Sequence, residues 1–99
     1  MTAQILVTEV FSTWLEKLKD RVGRARIQAR IERLAAGNPG QHRKLKRGVS
    51  ELKIDVGPGY RVYYTDRGEF LVILLCGGDK STQTTDVKLA YEMVENLEY

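Results

Sequence analysis

The sequence predicts an α+β domain in which a helical hairpin packs on a twisted, mainly antiparallel sheet of four to five strands. Apolar residues recur at helical spacing in the first forty residues and at period two after residue 44. The strands follow the helical hairpin instead of alternating with helices, which is typical of α+β folds. With 99 residues, of which 42% are hydrophobic, the chain can build one core. We therefore expect one domain over residues 1–99, with the element order β, α, α, β, β, β, β, α.

The N-terminal half is predicted to hold a short strand and two helices. Ile5 and Val7 alternate with polar neighbours, and Thr8 then offers an N-cap for the first helix. Asp20 can cap the second helix, and Gly37 suits the left-handed position after its last turn. The apolar stripes of the two helices are Phe11, Trp14, Leu15 and Leu18, and then Ile27, Ile31, Leu34 and Ala35.

The C-terminal half is predicted to form most of the sheet and one more helix. Leu45 lies in a short strand, and two further strands alternate around Ile54 and Val62. Phe70 to Cys76 is a continuous apolar run, which is expected of a central strand. The stripe of the C-terminal helix consists of Val87, Ala90, Tyr91, Val94 and Leu97.

Charge and cysteine content narrow the classes of function. Residues 1–49 carry eleven Lys and Arg against four Asp and Glu, a net charge of +7, whereas residues 50–99 carry −4. The basic half could bind a polyanion, or it could supply the solvated faces of the helices. Cys76 has no disulfide partner and is expected to be an inert core residue. No signal peptide or membrane span is visible, so we expect a cytoplasmic protein without membrane contact.

One face of the predicted sheet is the strongest candidate for a functional surface. If Leu52, Ile54, Val62 and Tyr64 face the helical hairpin, the intervening residues must share the opposite face, which we expect to be polar and open. Those residues are Glu51, Lys53, Asp55, Arg61 and Tyr63. Further cations, Lys44, Lys46 and Lys80, would converge there if Gly77 and Gly78 bend the chain. Such a cluster suits phosphate, although a solvated antiparallel sheet is the alternative interpretation.

Other chemistries have less support. His42 is the only histidine and lies in a basic turn, where a solvated role is more common than catalysis. The spacing of Cys and His matches no metal site, and one histidine cannot define a Ser-His-acid triad. The segment from Gly77 to Ser81 lacks the full spacing of a phosphate-binding P-loop. We therefore expect no metal and no cofactor.

Several segments together resemble the RelE/ParE toxin superfamily, and most closely its addiction module killer protein or HigB-like branch. The matching segments are ARIQARIERL (25–34), GNPG (37–40), GVSELKI (48–54), GPGYRVYY (57–64) and LLCGGDKSTQ (74–83). The resemblance implies a RelE-like toxin of a type II toxin–antitoxin module, of the kind that stabilises plasmids. It also implies a cognate antitoxin, expected to be a small helix-turn-helix protein. RelE-like members cleave mRNA on the ribosome without metal, by attack of a ribose 2′-OH on the adjacent phosphate.

The resemblance also assigns roles to residues. Arg61, after Gly59 and Tyr60, matches the strand arginine that contacts the scissile phosphate. Lys53 matches an outward strand lysine; the second lysine of the family is missing, and Glu51 becomes the expected base. Lys80 matches a further cation. Gln83 would orient substrate, and Tyr63 would donate a proton, because the family's C-terminal aromatic acid has no counterpart.

Two other functions stay open. ParE-like members of the superfamily inhibit DNA gyrase, which requires a binding surface and no acid-base centre. A module that has lost catalysis could instead bind an antitoxin or nucleic acid. Arg26, Arg30 and Arg33 lie on one helical face at i, i+4 and i+7, where they could contact rRNA or an acidic partner or simply be solvated. We count these three arginines, together with Lys44, Lys46 and Gln83, as candidate RNA-binding residues.

Overall fold

The predicted fold class is confirmed by a computed structural model that describes residues 2–97. Five strands form one sheet: β1 Gln4–Val7, β2 His42–Lys44, β3 Val49–Ile54, β4 Tyr60–Arg67 and β5 Leu71–Asp79. The helices are α1 Glu9–Lys17, α2 Arg21–Ala35 and α3 Gln83–Glu95, and a 3₁₀ turn, Lys80–Thr82, precedes α3. The observed order of strands and helices is the predicted one.

The sheet has the strand order β1-β5-β4-β3-β2. β1 runs parallel to β5, whereas the other three pairings are antiparallel. In the β3–β4 pair, Lys53 lies directly opposite Arg61, and Glu51 lies opposite Tyr63. In the β2–β3 pair, Arg43 lies opposite Glu51. This register brings these side chains to the same face of the sheet.

The predicted caps fix where the two hairpin helices begin. The Thr8 hydroxyl accepts a hydrogen bond from the Phe11 N–H at 3.1 Å. The Asp20 carboxylate likewise accepts from the Gly23 N–H at 3.0 Å. At the end of α2, Gly37 has a φ of +94°, the left-handed backbone that glycine adopts without steric cost. Each of these local predictions is confirmed.

The helical hairpin and the sheet enclose one hydrophobic core. The apolar stripes of α1 and α2 pack against the sheet face that carries Leu52, Ile54, Val62 and Tyr64, as predicted. Phe11 and Ile27 are the helix residues most deeply buried in it. Full burial of such a side chain is worth about 1.5–3 kcal/mol. This face therefore anchors β3 and β4, whose opposite face carries the polar residues.

The opposite face is not open along its whole length, and that expectation is wrong. α3 covers part of it and encloses a second core, in which Tyr63, Leu75 and Cys76 pack against Ala90. The reason is the apolar stripe of α3, which needs an apolar surface and finds it where β4 and β5 turn Tyr63 and Leu75 toward it. Cys76 is buried as expected, and burial raises the pKa of its thiol to about 12.

Gly77 and Gly78 do not bend the chain, contrary to expectation. Both lie inside β5, and neither has a positive φ. A Cβ added at Gly77 would lie closer than 3.0 Å to three atoms of the Trp14 ring, and one at Gly78 would meet the Asp86 carboxylate. The two glycines therefore allow α1 and α3 to approach β5 closely from opposite faces.

We expect the link between α2 and β4 to make stability depend on pH. The Tyr60 hydroxyl donates to the Asp20 carboxylate at 2.7 Å. The Gly23 N–H and this hydroxyl hold the pKa of Asp20 below its usual 3.8, so its contribution is present above that pH and is lost as the pH falls through the folded-state pKa. Burial, together with the bond to Asp20, raises the pKa of Tyr60 to about 12, so stability also declines between about pH 10 and 12.

Asp20→Asn keeps a capping oxygen but removes the charge. It should therefore flatten the acid side of the curve that relates the free energy of unfolding to pH. Urea unfolding midpoints between pH 2 and 7 measure the change, with Asp55→Asn as the control for removing one carboxylate. An unaltered acid slope in Asp20→Asn would contradict the assignment.

Candidate functional site

A cavity of about 390 Å³ opens beside the start of α3, on the sheet face opposite the hairpin. We call it the Arg61 cavity. Its lining residues are Gln41, His42, Arg43, Glu51, Lys53, Arg61 and Gln83. Four of the residues predicted from the sequence, Glu51, Lys53, Arg61 and Gln83, are therefore brought together.

Four elements supply side chains to the cavity. β3 supplies Glu51 and Lys53, which are two residues apart and so point to the same face. β4 supplies Arg61 directly opposite Lys53, and β2 supplies Arg43. Gln83 is the first residue of α3. β5 continues through Gly77 and Gly78 to Asp79, and the chain therefore starts α3 beside the cavity.

Glu51 is a buried carboxylate at the back of the cavity, with 3% of its surface exposed. Arg43 Nε donates to its Oε1 at 3.0 Å, and Gln83 Nε2 donates to its Oε2 at 3.0 Å. Arg61 Nε lies 3.9 Å from Oε1, close enough for an ion pair. A buried carboxylate needs such partners, because without them its desolvation is costly. Glu51 therefore holds three side chains from three elements in place.

Arg61 is buried but only partly hydrogen-bonded. It is 5% exposed, and its Nη1 donates to the Gly59 carbonyl at 3.1 Å. Its Nε is buried without a hydrogen-bond partner in the described part of the chain. A guanidinium carries five N–H donors in a planar fork that matches the oxygens of phosphate. Arg61 therefore keeps donors for an anion in the cavity.

The electrostatics of the cavity favour an anion. Its lining includes the cations Arg43, Lys53 and Arg61 and the carboxylate of Glu51. Walls of low dielectric strengthen the attraction of such a cluster for negative charge.

Tyr63 does not reach the cavity. The side chain is 0% exposed, and its hydroxyl has no hydrogen-bond partner within residues 2–97. Burial, reinforced by the nearby Glu51 carboxylate, raises the pKa of Tyr63 far above its usual range. The proton donor expected from the resemblance therefore does not fit this residue, which belongs to the core beneath α3.

Of the other predicted lysines, Lys44 and Lys46 do not converge on the cavity, whereas Lys80 lies near Arg61. Lys80 begins the 3₁₀ turn and is exposed; it does not line the cavity, but its Cβ and Arg61 Nη1 both lie within 4 Å of the place where a Cβ on Gly59 would stand. Lys44 lines a separate cavity that also contains Tyr64. Lys46 lies beside α3, where its N–H donates to the Tyr91 hydroxyl at 3.2 Å. Lys44 pairs with Ser50, so its side chain shares the hairpin face with Leu52 and points away from the Arg61 cavity, whatever the course of Gly77 and Gly78.

The three arginines of α2 have different environments. Arg30 donates to the main-chain carbonyls of Lys53, Pro39 and Gln41, at 2.7, 2.9 and 2.8 Å. Burial lowers the pKa of Arg30, and the neighbouring positive charge of Arg33 adds to this. Arg26 and Arg33 are exposed, and with Arg30 they line a further cavity of about 270 Å³. Arg30 thus has a structural role, because it holds three main-chain carbonyls in place, whereas Arg26 and Arg33 face solvent.

Sequence reasoning missed two residues of the Arg61 cavity, Arg43 and Gln41. Arg43 is placed by a tight turn in which Arg47 and Gly48 both have positive φ and the Val49 N–H donates to the Lys46 carbonyl at 3.0 Å. Pairing outward from this turn would have set Arg43 opposite Leu52. The Leu45 N–H instead donates to the Val49 carbonyl at 2.8 Å, which shifts the register by one residue and sets Arg43 opposite Glu51. No sequence signal showed this shift, and Gln41 gave no signal either.

His42 is exposed and lies at the rim between two cavities. Its Nδ1 donates to the Gly40 carbonyl at 2.8 Å. Its position opposite Leu52, a residue of the hairpin core, places the imidazole on the other side of the sheet from Glu51 and Arg61. It is therefore not part of the cationic cluster.

Membrane-spanning helices and metal-binding clusters are both absent from residues 2–97. No helix there is long and apolar enough to cross a membrane. That part of the chain also contains no group of three or more His, Cys, Asp or Glu side chains arranged to hold a metal ion.

The chain is similar to known sequences over almost its whole length. Residues 13–94 match the family model described as phage derived protein Gp49-like (DUF891). A protein of Haemophilus influenzae, described only as uncharacterized, is 50% identical over 97 residues, which is 98% of each chain. A family model that matches most of the chain, together with a relative that is 50% identical, shows that the chain is a member of that family. The chain belongs to the phage-derived Gp49-like family, which is a RelE-like toxin family.

Proposed function

We propose that this protein is the toxin of a type II toxin–antitoxin module, on the addiction module killer or HigB-like branch, and that it cleaves mRNA on the ribosome without metal. The observation that carries the proposal is Arg61, a buried arginine with uncommitted donors that lies opposite Lys53 in a cationic cavity. A phosphodiester is the anion that suits a planar guanidinium beside a lysine.

The proposed reaction is an internal transesterification. The 2′-oxygen attacks the adjacent phosphorus and the bond from phosphorus to the 5′-oxygen breaks, which yields a 2′,3′-cyclic phosphate and a 5′-OH. The proton of the 2′-OH passes to Glu51, and the leaving 5′-oxygen takes a proton from the Lys53 ammonium. Arg61 holds the phosphate and stabilises the charge that develops on its oxygens. Lys53 thus takes the role that the resemblance gave to Tyr63.

The neighbours of Glu51 fit a supporting role. Arg43 is 60% exposed and binds the carboxylate from the open side, so a substrate can displace it. Gln83 binds the other carboxylate oxygen from α3 and fixes its direction. In this scheme, these two residues orient Glu51 for the proton transfer.

The same proposal defines the partners. The ribosome and mRNA would supply the substrate, which places the protein in the cytoplasm, and a small helix-turn-helix antitoxin would neutralise it. We expect the antitoxin gene to be adjacent, so an isolated gene would count against the toxin proposal.

Arg61→Ala and Arg61→Lys are both expected to abolish growth arrest when expressed in a bacterial host, with mRNA cleavage reduced about 10²- to 10³-fold. Arg61→Lys fails because an ammonium cannot form two parallel hydrogen bonds to phosphate. Mapping of mRNA 5′ ends measures the cleavage. Arg67→Ala is the matched control, since this arginine is an exposed residue of the same strand.

Three results would overturn this function. Equal toxicity of wild type and Arg61→Ala would reject the site. Intact transcripts with accumulated cleaved DNA would indicate a gyrase inhibitor, and binding of an antitoxin without toxicity would indicate a module that has lost catalysis.

A further inference from the structure

We infer that the RNA strand held in the Arg61 cavity continues past Gln41 to a second phosphate-binding site at Arg26 and Arg33. This inference rests on the proposed function and adds that the protein binds the substrate strand beyond the bond that it cuts. It also assigns different roles to three arginines that share one helical face.

The two cavities lie on either side of one short piece of backbone. Gln41 lines both of them. Arg30 donates to the carbonyls of Gln41 and Lys53, and the Lys53 side chain lines the Arg61 cavity. These hydrogen bonds of Arg30 therefore fix the position of the second cavity relative to the first. An RNA strand that leaves the Arg61 cavity at Gln41 meets α2 directly.

The second cavity has donors for an anion. Arg26 and Arg33 are exposed, and in residues 2–97 no carboxylate lies within 4.0 Å of either guanidinium. Arg30 Nε is buried there without a hydrogen-bond partner among the described residues. Within the described chain, Asp55 is the one acidic residue in the lining, against three arginines. The site is therefore cationic, with two arginines that remain available to a ligand.

RNA suits this site better than an acidic protein segment does. The neighbouring cavity has the chemistry of a phosphodiester site, and a polynucleotide presents phosphates at regular intervals along one strand. Guanidinium groups bind phosphate through paired hydrogen bonds. Continuity with the Arg61 cavity is expected of one strand that passes through both.

The test uses RNA oligomers in which every 2′-OH is methylated, because such RNA binds but has no nucleophile for cleavage. Fluorescence anisotropy gives the affinity of the purified protein for a dinucleotide and for a 12-mer across a range of salt concentrations. We expect wild type to bind the 12-mer more tightly. Arg26→Gln/Arg33→Gln should weaken 12-mer binding about tenfold and leave dinucleotide binding unchanged. It should also reduce the salt slope by about 0.7 for each phosphate that the variant no longer neutralises.

Lys17→Gln/Lys88→Gln is the control, since it removes the same charge from exposed positions that line neither cavity. An equal loss in this control, no loss in the arginine pair, or wild-type affinity that does not increase with length would overturn the inference. The inference would also be overturned if Arg26→Gln/Arg33→Gln weakened binding of a polyglutamate peptide but not of the 12-mer, because the surface would then bind an acidic protein. Arg61→Ala in cells tests the proposed function separately, so the two can fail independently.

Discussion

Glu51→Leu is expected to lower the free energy of unfolding by about 3–5 kcal/mol. The substitution leaves the Arg61 guanidinium 5% exposed, with one hydrogen bond to a main-chain carbonyl and no carboxylate nearby among the described residues. An unpaired buried charge is far more costly than a missing buried pair. Urea unfolding at pH 7 measures the difference.

The double variant Glu51→Leu/Arg61→Met separates this cause from a packing defect. Removing both charges should return stability to within about 1 kcal/mol of wild type, because apolar side chains of similar size replace the pair. Arg43→Met should cost less than Glu51→Leu, since the Glu51 carboxylate keeps Arg61 and Gln83 as partners. A double variant as unstable as Glu51→Leu would show that the charge of Arg61 is not the cause.

Gly77→Ala is expected to destabilise the protein by about 3 kcal/mol. The new methyl group would overlap the Trp14 ring, which packs against Phe11 and Tyr60 with ring centroids 5.6 and 6.3 Å away. The ring cannot retreat without opening the hairpin core, and β5 is bonded on both sides and cannot shift alone. Trp14 is the only tryptophan, so its fluorescence follows both the unfolding and the local change.

Gly78→Ala provides the comparison, and it should cost less. Its methyl group would meet the ends of the Asp86 and Thr82 side chains, which can rotate. Trp14→Leu in the Gly77→Ala background should recover much of the stability, because the smaller side chain leaves room. If Gly77→Ala is no less stable than Gly78→Ala, the ring contact does not limit the approach of α1 to β5.

The parts of the fold that depend on local patterns were predictable. Thr8 and Asp20 act within three residues of their own position, so the sequence shows where α1 and α2 begin. Alternation likewise placed Glu51 and Lys53 on one face of β3, and the apolar residues Tyr60 and Val62 at the two sides of Arg61 placed the packing face of β4.

The parts that depend on distant contacts were not predictable. The stripe of α3 showed that the helix packs on something, but no local signal indicated that it covers Tyr63. Arg43 is placed by a turn at Arg47 and Gly48 that lacks the usual Asn-Gly or Asp-Gly pair. The position of Lys80 depends on whether Gly77 and Gly78 extend β5, and glycine permits either conformation.

The hydrogen bonds of Arg30 to main-chain carbonyls affect how this site can change in evolution. All three of its acceptors are main-chain oxygens, which every amino acid supplies. Substitution at positions 39, 41 or 53 therefore leaves the anchorage of the backbone intact. The side chains at the mouth of the cavity can therefore change in evolution while the backbone beneath them keeps its conformation.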